Sequence, residues 1–337
     1  MNKKQFGCIL GILVLLLLFS LLANLVFAIR SAHGLAGASL GPVPPAPRFD
    51  EATVADGNGP GKIVQITLRG LISSSEAGEV GETMVDDLKL QLHQAAMDPD
   101  VKAIVLYVDS PGGEVTASDM IYNAVCRARQ QKPVIVYMGS LAASGGYYVS
   151  CGGSYLMADD TSLTGSIGVI IETFNYQALL GKVGLESVVF KSGQFKDMLN
   201  GAREMTPEEK TYVQDMVMQT YGKFVGIVAR ERKIPEAQLR AGIADGRVIS
   251  GRDALNDKLI DGLGQIEDAY QVARDRGNAP DAPVVRYEQG FRFGKLLKMV
   301  TGRAEAADTT VRIDLPGAIT PRMEAGRLYL LPSFFAE

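Results

Sequence analysis

One serine in this chain stands where a nucleophile could work. Residues 141–149 read LAASGGYYV, so Ser144 is followed directly by Gly145 and Gly146. The serine follows a buried apolar run and opens a helix-like piece. Backbone amides at the start of a helix point outward and favour negative charge. Glycine lets another backbone approach closely and accepts φ values closed to other residues. A serine so placed has its hydroxyl at the carboxyl end of a strand, with the Gly145 amide beside it as a donor to an oxyanion. The pattern is AASGG rather than the GxSxG of a nucleophile elbow, and SGG also makes plain turns. A second glycine turn lies one unit earlier, at Asp109-Ser110-Pro111-Gly112-Gly113. Its amides could supply a second oxyanion donor, and each such donor is worth about 2.7–4 kcal/mol in acyl transfer. A tight strand–helix connection would use proline and glycine as well.

A nucleophilic serine needs a base, and histidine is nearly absent: the chain has only His33 and His93. His93 falls in DDLKLQLHQAAMD among Leu88, Leu90 and Leu92, and reads as a surface or half-buried helix residue. His33 lies close to the apolar N-terminus. A Ser-His-Asp triad is therefore not expected, and lysine is the other base that serine chemistry uses. The ordinary lysine pKa of about 10.4 must then fall, and reaching about 7 costs about 4.6 kcal/mol at about 1.36 per unit. Only dehydrated apolar surroundings or a neighbouring positive charge supply that. Lys196, in KSGQFKDM just beyond the apolar run SVVF, is one suitable position; Lys182 and Lys191 compete with it. Position alone does not choose among the three.

The elements that must hold these groups alternate along the chain. IVQITLRG (63–70) reads as a strand, and residues 79–97 carry a helical apolar stripe. AIVLYVDS (103–110) is a near-continuous apolar run, as for a strand covered on both faces. It leads through PGG into a helix over 115–130. PVIVYMGS (133–140) repeats the pattern and leads to SGGYYVSC, a short helix. SYLMADD reads as a further strand, 174–183 as a helix and SVVFKSG as a strand. Alternation with short turns predicts an α/β fold with largely parallel strands. After Met205 the pattern becomes helical. Thr206-Pro207-Glu208-Glu209 is a capping box with proline at the first helical position. It opens a helix running to Arg232, with shorter helices near 235–242, 251–258 and 264–276. The terminal GRLYLLPSFF is apolar enough to need burial or a partner, and one use for it is to lie in the domain's own groove as a product-like peptide.

The 34 basic and 38 acidic residues leave no electrostatic footprint for nucleic acid. Cys8, Cys126 and Cys151 are too few and too odd in number for a disulfide framework. Cys126 and Cys151 read as buried thiols. No Cys/His cluster has metal-ligand spacing, so neither a metal nor a cofactor is expected. Phe6 to Ile29 is a mostly apolar run without charge, preceded by Lys3 and Lys4 and followed by Arg30. It is long enough to span a bilayer and longer than most signal-peptide apolar cores. The early lysines favour a cytoplasmic N-terminus, with the remainder outside. A cleaved signal peptide is the alternative, but the run has no short apolar core ending in a small-x-small site. The expected organisation is a cytoplasmic stretch 1–5, a transmembrane anchor 6–29 and a Gly/Pro/Ala-rich tether 30–61. A domain over 62–285 and a C-terminal extension 286–337 follow.

DSPGG (109–113), AASGGYY (142–148), TGSIGV (164–169), KSGQFKDM (191–198), REMTPEE (203–209) and ADGRVISGRDA (244–254) occur in this order. Together they resemble the signal peptide peptidase A family, membrane-anchored bacterial serine proteases of the Clp/crotonase superfamily. The resemblance covers about residues 60–275, and the N-terminal anchor fits it. It implies a Clp/crotonase-like α/β fold of repeated β-β-α units, preceded by a single transmembrane helix. It implies Ser144 as nucleophile, Lys196 as general base and Ser166 as the serine that orients the lysine amine. Gly113 and Gly145 match the oxyanion-hole amides. It further implies signal peptides as substrates, no cofactor, and a location in the bacterial inner membrane with the catalytic domain on the periplasmic side. The family's short forms assemble as dome-shaped homo-oligomers, octamers, with each dyad completed between neighbouring subunits. One departure is Lys258, where the family more often has glycine, which puts a local turn in question. Two rival readings stand beside this one. The first is a crotonase-type acyl-CoA hydratase or isomerase, with Glu114 the acid nearest the PGG turn. The second is a catalytically inactive, membrane-tethered scaffold of the same fold.

Overall fold

A computed structural model of the chain describes residues 15–24, 49–74, 83–289 and 329–330. The chain divides into two units, Met1–Pro47 and Arg48–Glu337. In the first, residues 15–24 form helix α1. Among the described residues no helix is long and apolar enough to cross a membrane. The rest of the span expected over 6–29 lies outside the described residues.

The second unit is a mixed α/β structure. Its strands are β1 (Phe49–Ala55), β2 (Lys62–Arg69), β3 (Val101–Ser110), β4 (Gly113–Glu114), β5 (Val134–Ala143), β6 (Tyr155–Ala158), β7 (Leu163–Gly165), β8 (Val248–Ser250), β9 (Gly262–Leu263), β10 (Val284–Gln289) and β11 (Tyr329–Leu330). Its helices are α2 (Met84–Met97), α3 (Val115–Arg129), α4 (Gly145–Ser150), α5 (Gln177–Lys182), α6 (Pro207–Arg232), α7 (Glu236–Ala241), α8 (Gly251–Asn256) and α9 (Ile266–Arg276). The main sheet runs β1-β10-β2-β3-β5-β6-β9, with β7 beside the end of β5 and β8 beside β7. β10, β2, β3, β5, β6 and β9 are parallel to their neighbours, and β1 closes one edge antiparallel to β10.

The apolar runs follow from this geometry. Side chains alternate across a strand, and both faces of the sheet are covered. On one face Ile104, Leu106 and Val108 of β3 join Val64, Ile66 and Leu68 of β2 and Val134, Val136 and Met138 of β5. That face also receives Leu88 and Leu92 of α2, Ile121 and Val125 of α3, and Phe224 and Val228 of α6. On the other, Ala103 and Val105 pack with Ile63, Ile135, Tyr137 and the Ala269, Tyr270 and Ala273 stripe of α9. Burial on both sides leaves no position in β3 or β5 for a regular polar alternation. The α6 capping box forms as expected: Glu209 N–H donates to the Thr206 hydroxyl (3.2 Å), and Thr206 N–H donates to the Glu209 carboxylate (2.9 Å).

Two local expectations change. The strand β1 lies inside the segment read as tether, with Phe49 buried and stacked on Tyr287 at 5.8 Å. Its partner β10 crosses the expected domain end at residue 285. A strand whose only partner is far along the chain leaves little local trace. Conversely, SVVFKSG forms no strand, and the helix expected over 174–183 shortens to α5. Phe190 is 95% exposed, with Val188 and Leu185 also exposed. The apolar character that suggested a strand has no burial within the single chain.

Candidate active site

β5 carries the chain across the sheet to Ala143, and α4 begins at Gly145. Ser144, the residue between them, has φ 53° and ψ −114°. Such a conformation costs a residue with a Cβ about 1–3 kcal/mol and persists only where its surroundings impose it. Ser144 is 0% exposed, and its Oγ has no hydrogen-bond partner among the described residues. An unpaired buried hydroxyl costs a further ~1–3 kcal/mol. The backbone holds the serine in place: Ser144 N–H donates to Gly165 O (2.8 Å), and Tyr148 N–H donates to Ser144 O (2.8 Å). The Gly165 contact brings the neighbouring Ser166 to the site. Ser166 is 2% exposed, has φ 50°, and donates its N–H to Arg247 O at 2.8 Å.

The second glycine turn forms the facing wall. The Ser110 hydroxyl donates to Gly70 O (2.6 Å) and accepts from Gly112 N–H (3.1 Å), which fixes the start of the turn. Ile72 runs alongside: its N–H donates to Gly112 O, and Glu114 N–H donates to Ile72 O, both at 2.8 Å. A Cβ on Gly113 would lie 2.1 Å from Ile72 O, so no side chain fits there. A Cβ on Gly145 would lie 2.6 Å from Ser118 Oγ and 3.1 Å from the Gly113 nitrogen. The two glycine turns thus touch beside Ser144, with the Gly113 and Gly145 backbones side by side. Backbone amides are the donor type that oxyanion holes use.

The edge at β4 also accepts a strand. β11 pairs with it antiparallel, Tyr329 opposite Glu114 and Leu330 opposite Gly113. An extended segment of this chain's own C-terminal region therefore lies beside the glycine turn. The Glu114 carboxylate accepts from Ser74 N–H (3.1 Å) and from the Ser74 hydroxyl (2.6 Å). It is tied to the loop after β2, which argues against the crotonase reading.

Lys196 lies elsewhere. It is exposed, in a turn where its N–H donates to Gly193 O at 3.1 Å. Within one chain the structure gathers Ser144, Gly145, Gly113 and Ser166 and does not bring Lys196 onto the Ser144 hydroxyl. Lys191, a competing base, is engaged by Asp197 at 2.8 Å. Lys182 is exposed on α5. His93 is exposed on α2.

The remaining neighbours are structural. Tyr147 is buried and donates to Leu259 O (2.8 Å), and burial holds its hydroxyl well above the ordinary tyrosine range. Tyr148 donates to Asp119 (2.7 Å) and packs at 5.0 Å on Phe224. Cys126 and Cys151 are free thiols, Cys151 buried and Cys126 half-buried. Lys258 has φ 61°, so a left-handed turn exists where the family more often has glycine. Sequence reading missed Ser110, although a hydroxyl directly before Pro-Gly-Gly was a visible signal. The β11 pairing carried only the weak signal of an apolar tail.

The model of the family described as peptidase family S49 matches residues 127–279, and that of the Clp protease family matches 72–159. A protein of Methanocaldococcus jannaschii, named as a protease, is 38% identical over 204 residues, 60% of this chain and 63% of its own length. A protein of Enterococcus faecium named for signal peptide peptidase SppA is 33% identical over 247 residues, 71% of this chain and 70% of its own. A ClpP1 mutant from Listeria monocytogenes, a solved structure, has a TM-score of 0.41 at 13% identity, covering 61% of this chain and 93% of that one. Both glycine turns, Ser144 and the Lys196 segment fall within the stretch that the two family models cover together. With the S49 match and the Enterococcus relative, 33% identical and covered over 70% of its length, the chain belongs to peptidase family S49.

Proposed function

We propose that the chain is a serine endopeptidase with Ser144 as nucleophile and Lys196, from a second copy of the chain, as its general base. The observation that carries this reading is the Ser144 hydroxyl. It is strained, buried and unpartnered, and it stands beside the paired Gly113 and Gly145 backbones. Neutral Lys196 takes the Ser144 proton as Oγ attacks the peptide carbonyl. The Gly113 and Gly145 amides receive the oxyanion. Lys196 returns the proton to the leaving amine, and a water activated by the same amine releases the acyl group. Ser166 orients the lysine amine. The exposed apolar residues of the Lys196 segment support assembly, since Phe174, Leu179, Val183, Val188 and Phe190 need a partner surface.

The substrate adds as a strand at β4, where β11 already demonstrates that the edge accepts one. The Enterococcus relative's name points to signal peptides as the substrate class. The apolar run over 6–29 supports a membrane anchor that places the enzyme where such peptides remain. Reaction of the purified full chain with a fluorophosphonate tests the reading. Labelling is expected at Ser144, and Lys196→Ala is expected to suppress it by about 10³-fold or more without loss of fold. Wild-type rates in the Lys196 variant would reject that base. No labelling and no cleavage by the wild type would favour the inactive scaffold.

A further inference from the structure

The turn that carries Lys196 is tied down by an unusually complete set of ion pairs. Arg203 donates from Nε to Asp197 Oδ2 (2.9 Å) and from a terminal nitrogen to Oδ1 (2.7 Å). Its terminal nitrogens also reach Glu209 Oε2 (2.8 Å), Oε1 (2.5 Å) and Glu204 O (2.9 Å). Lys191 Nζ adds a second cation to Asp197 at 2.8 Å. Glu209 has a fully buried side chain and belongs to the α6 capping box, and Asp197 is 11% exposed. One planar guanidinium thus joins the Lys196 turn to the first turn of α6. Only arginine has the fork to engage two carboxylates at once.

Asp197 directly follows Lys196. A lysine base must be neutral to accept a proton, and a free carboxylate nearby would hold it protonated. Here both Asp197 oxygens are taken by cations. The charges of the cluster cancel: Lys191 and Asp197 from the turn, Arg203 from the approach to α6, and Glu209 from α6 itself. Among the described residues, Lys196 Nζ belongs to none of these pairs. We infer that Arg203 is a positioning residue for the base: it pins the Lys196 turn to α6 and keeps the Asp197 carboxylate away from the Lys196 amine. The inference rests on Lys196 being the base.

The test is the pH dependence of peptide cleavage and of fluorophosphonate labelling by the full chain. The proteins compared are wild type, Arg203→Ala, Arg203→Lys, Asp197→Asn and the double variant Arg203→Ala/Asp197→Asn. Arg203→Ala is expected to move the acid limb of kcat/KM upward by about one pH unit, a loss of about tenfold below the limb. Lysine at position 203 keeps the charge without the fork and gives an intermediate profile. Adding Asp197→Asn to Arg203→Ala returns the limb toward its wild-type place. Asp197→Asn alone lowers the limb, and this variant decides the matter if Arg203→Ala does not fold. A loss equal at every pH, or Arg203→Ala and Asp197→Asn profiles within about twofold of wild type, overturns the inference. Lys196→Ala separates the two levels. If it cleaves normally, the base assignment has failed; if it is dead while the Arg203 and Asp197 profiles are unchanged, only the positioning role has failed.

Discussion

The two halves of the proposed dyad occupy opposite kinds of structure. Ser144 is walled in by the end of β5, α4 and the Gly112–Gly113 turn, and its backbone bonds to Gly165 and Tyr148. Lys196 rides on a segment that contributes no strand and exposes much of its apolar surface. That segment is nevertheless braced at its base by Arg203, Asp197 and Glu209. A braced arm with exposed apolar residues fits the proposed assembly with a second copy. The difference is that the Ser144 side of the proposed site is assembled from segments of one chain, whereas the proposed base stands on an exposed segment that makes no hydrogen bond to Ser144 Oγ.

The largest test of this contrast is complementation. Ser144→Ala and Lys196→Ala are each expected to lose about 10³–10⁴-fold in kcat. Mixed oligomers of the two should recover a measurable fraction of activity, because some sites receive an intact serine from one chain and an intact lysine from the other. No recovery in oligomers shown to be mixed would place both residues in one chain. Next, Gly113→Ala should reduce kcat by about 10²–10³-fold, since the added methyl displaces an oxyanion donor. A variant with normal steady-state kinetics would remove Gly113 from the wall. On the lysine side, Phe190→Ser should leave far-UV circular dichroism unchanged, lower the sedimentation coefficient toward that of the single chain, and reduce activity by about tenfold at dilute protein. An assembly unaffected by that change would point to another surface.

The smallest effect is on acid stability. The Arg203 guanidinium, followed by the Thr206 amide, holds the Glu209 carboxyl down to about 2. Arg203 and then Lys191 hold Asp197 well below the usual carboxylate range. Groups depressed in the folded state stabilise it above their unfolded pKa values, and that contribution is lost as pH falls through the folded ones. Urea midpoints should therefore be level above about pH 5 and decline between about pH 4.5 and pH 2. Arg203→Ala should flatten that decline. An equal slope in wild type and variant would mean that the cluster adds nothing to acid stability.

Some of this was legible without coordinates because the signals were local or repeated. β3 and β5 read as strands covered on both faces because their runs are near-continuously apolar. α6 was readable to its ends because its capping box occupies four consecutive residues. The two glycine turns were visible as strand-to-helix junctions, and the six ordered segments implied the serine and the lysine that the proposed function uses. β1 was lost in a tether-like composition because its partner β10 lies at the other end of the domain. SVVF was misread because apolar residues signal burial without saying against what.

The sequence by itself determined most of the main elements, the order of the two glycine turns and Ser144 as a candidate nucleophile. These depend on side-chain pattern and on backbone freedom over a few residues. Only the tertiary structure decided that the Gly113 nitrogen lies beside Gly145, that Ser144 is strained and unpartnered, and that β4 accepts a strand. It alone placed Lys196 away from the serine in its own chain. Each of these is a distance between segments remote along the chain. The packing of the sheet and its helices sets such distances, and no local pattern encodes them.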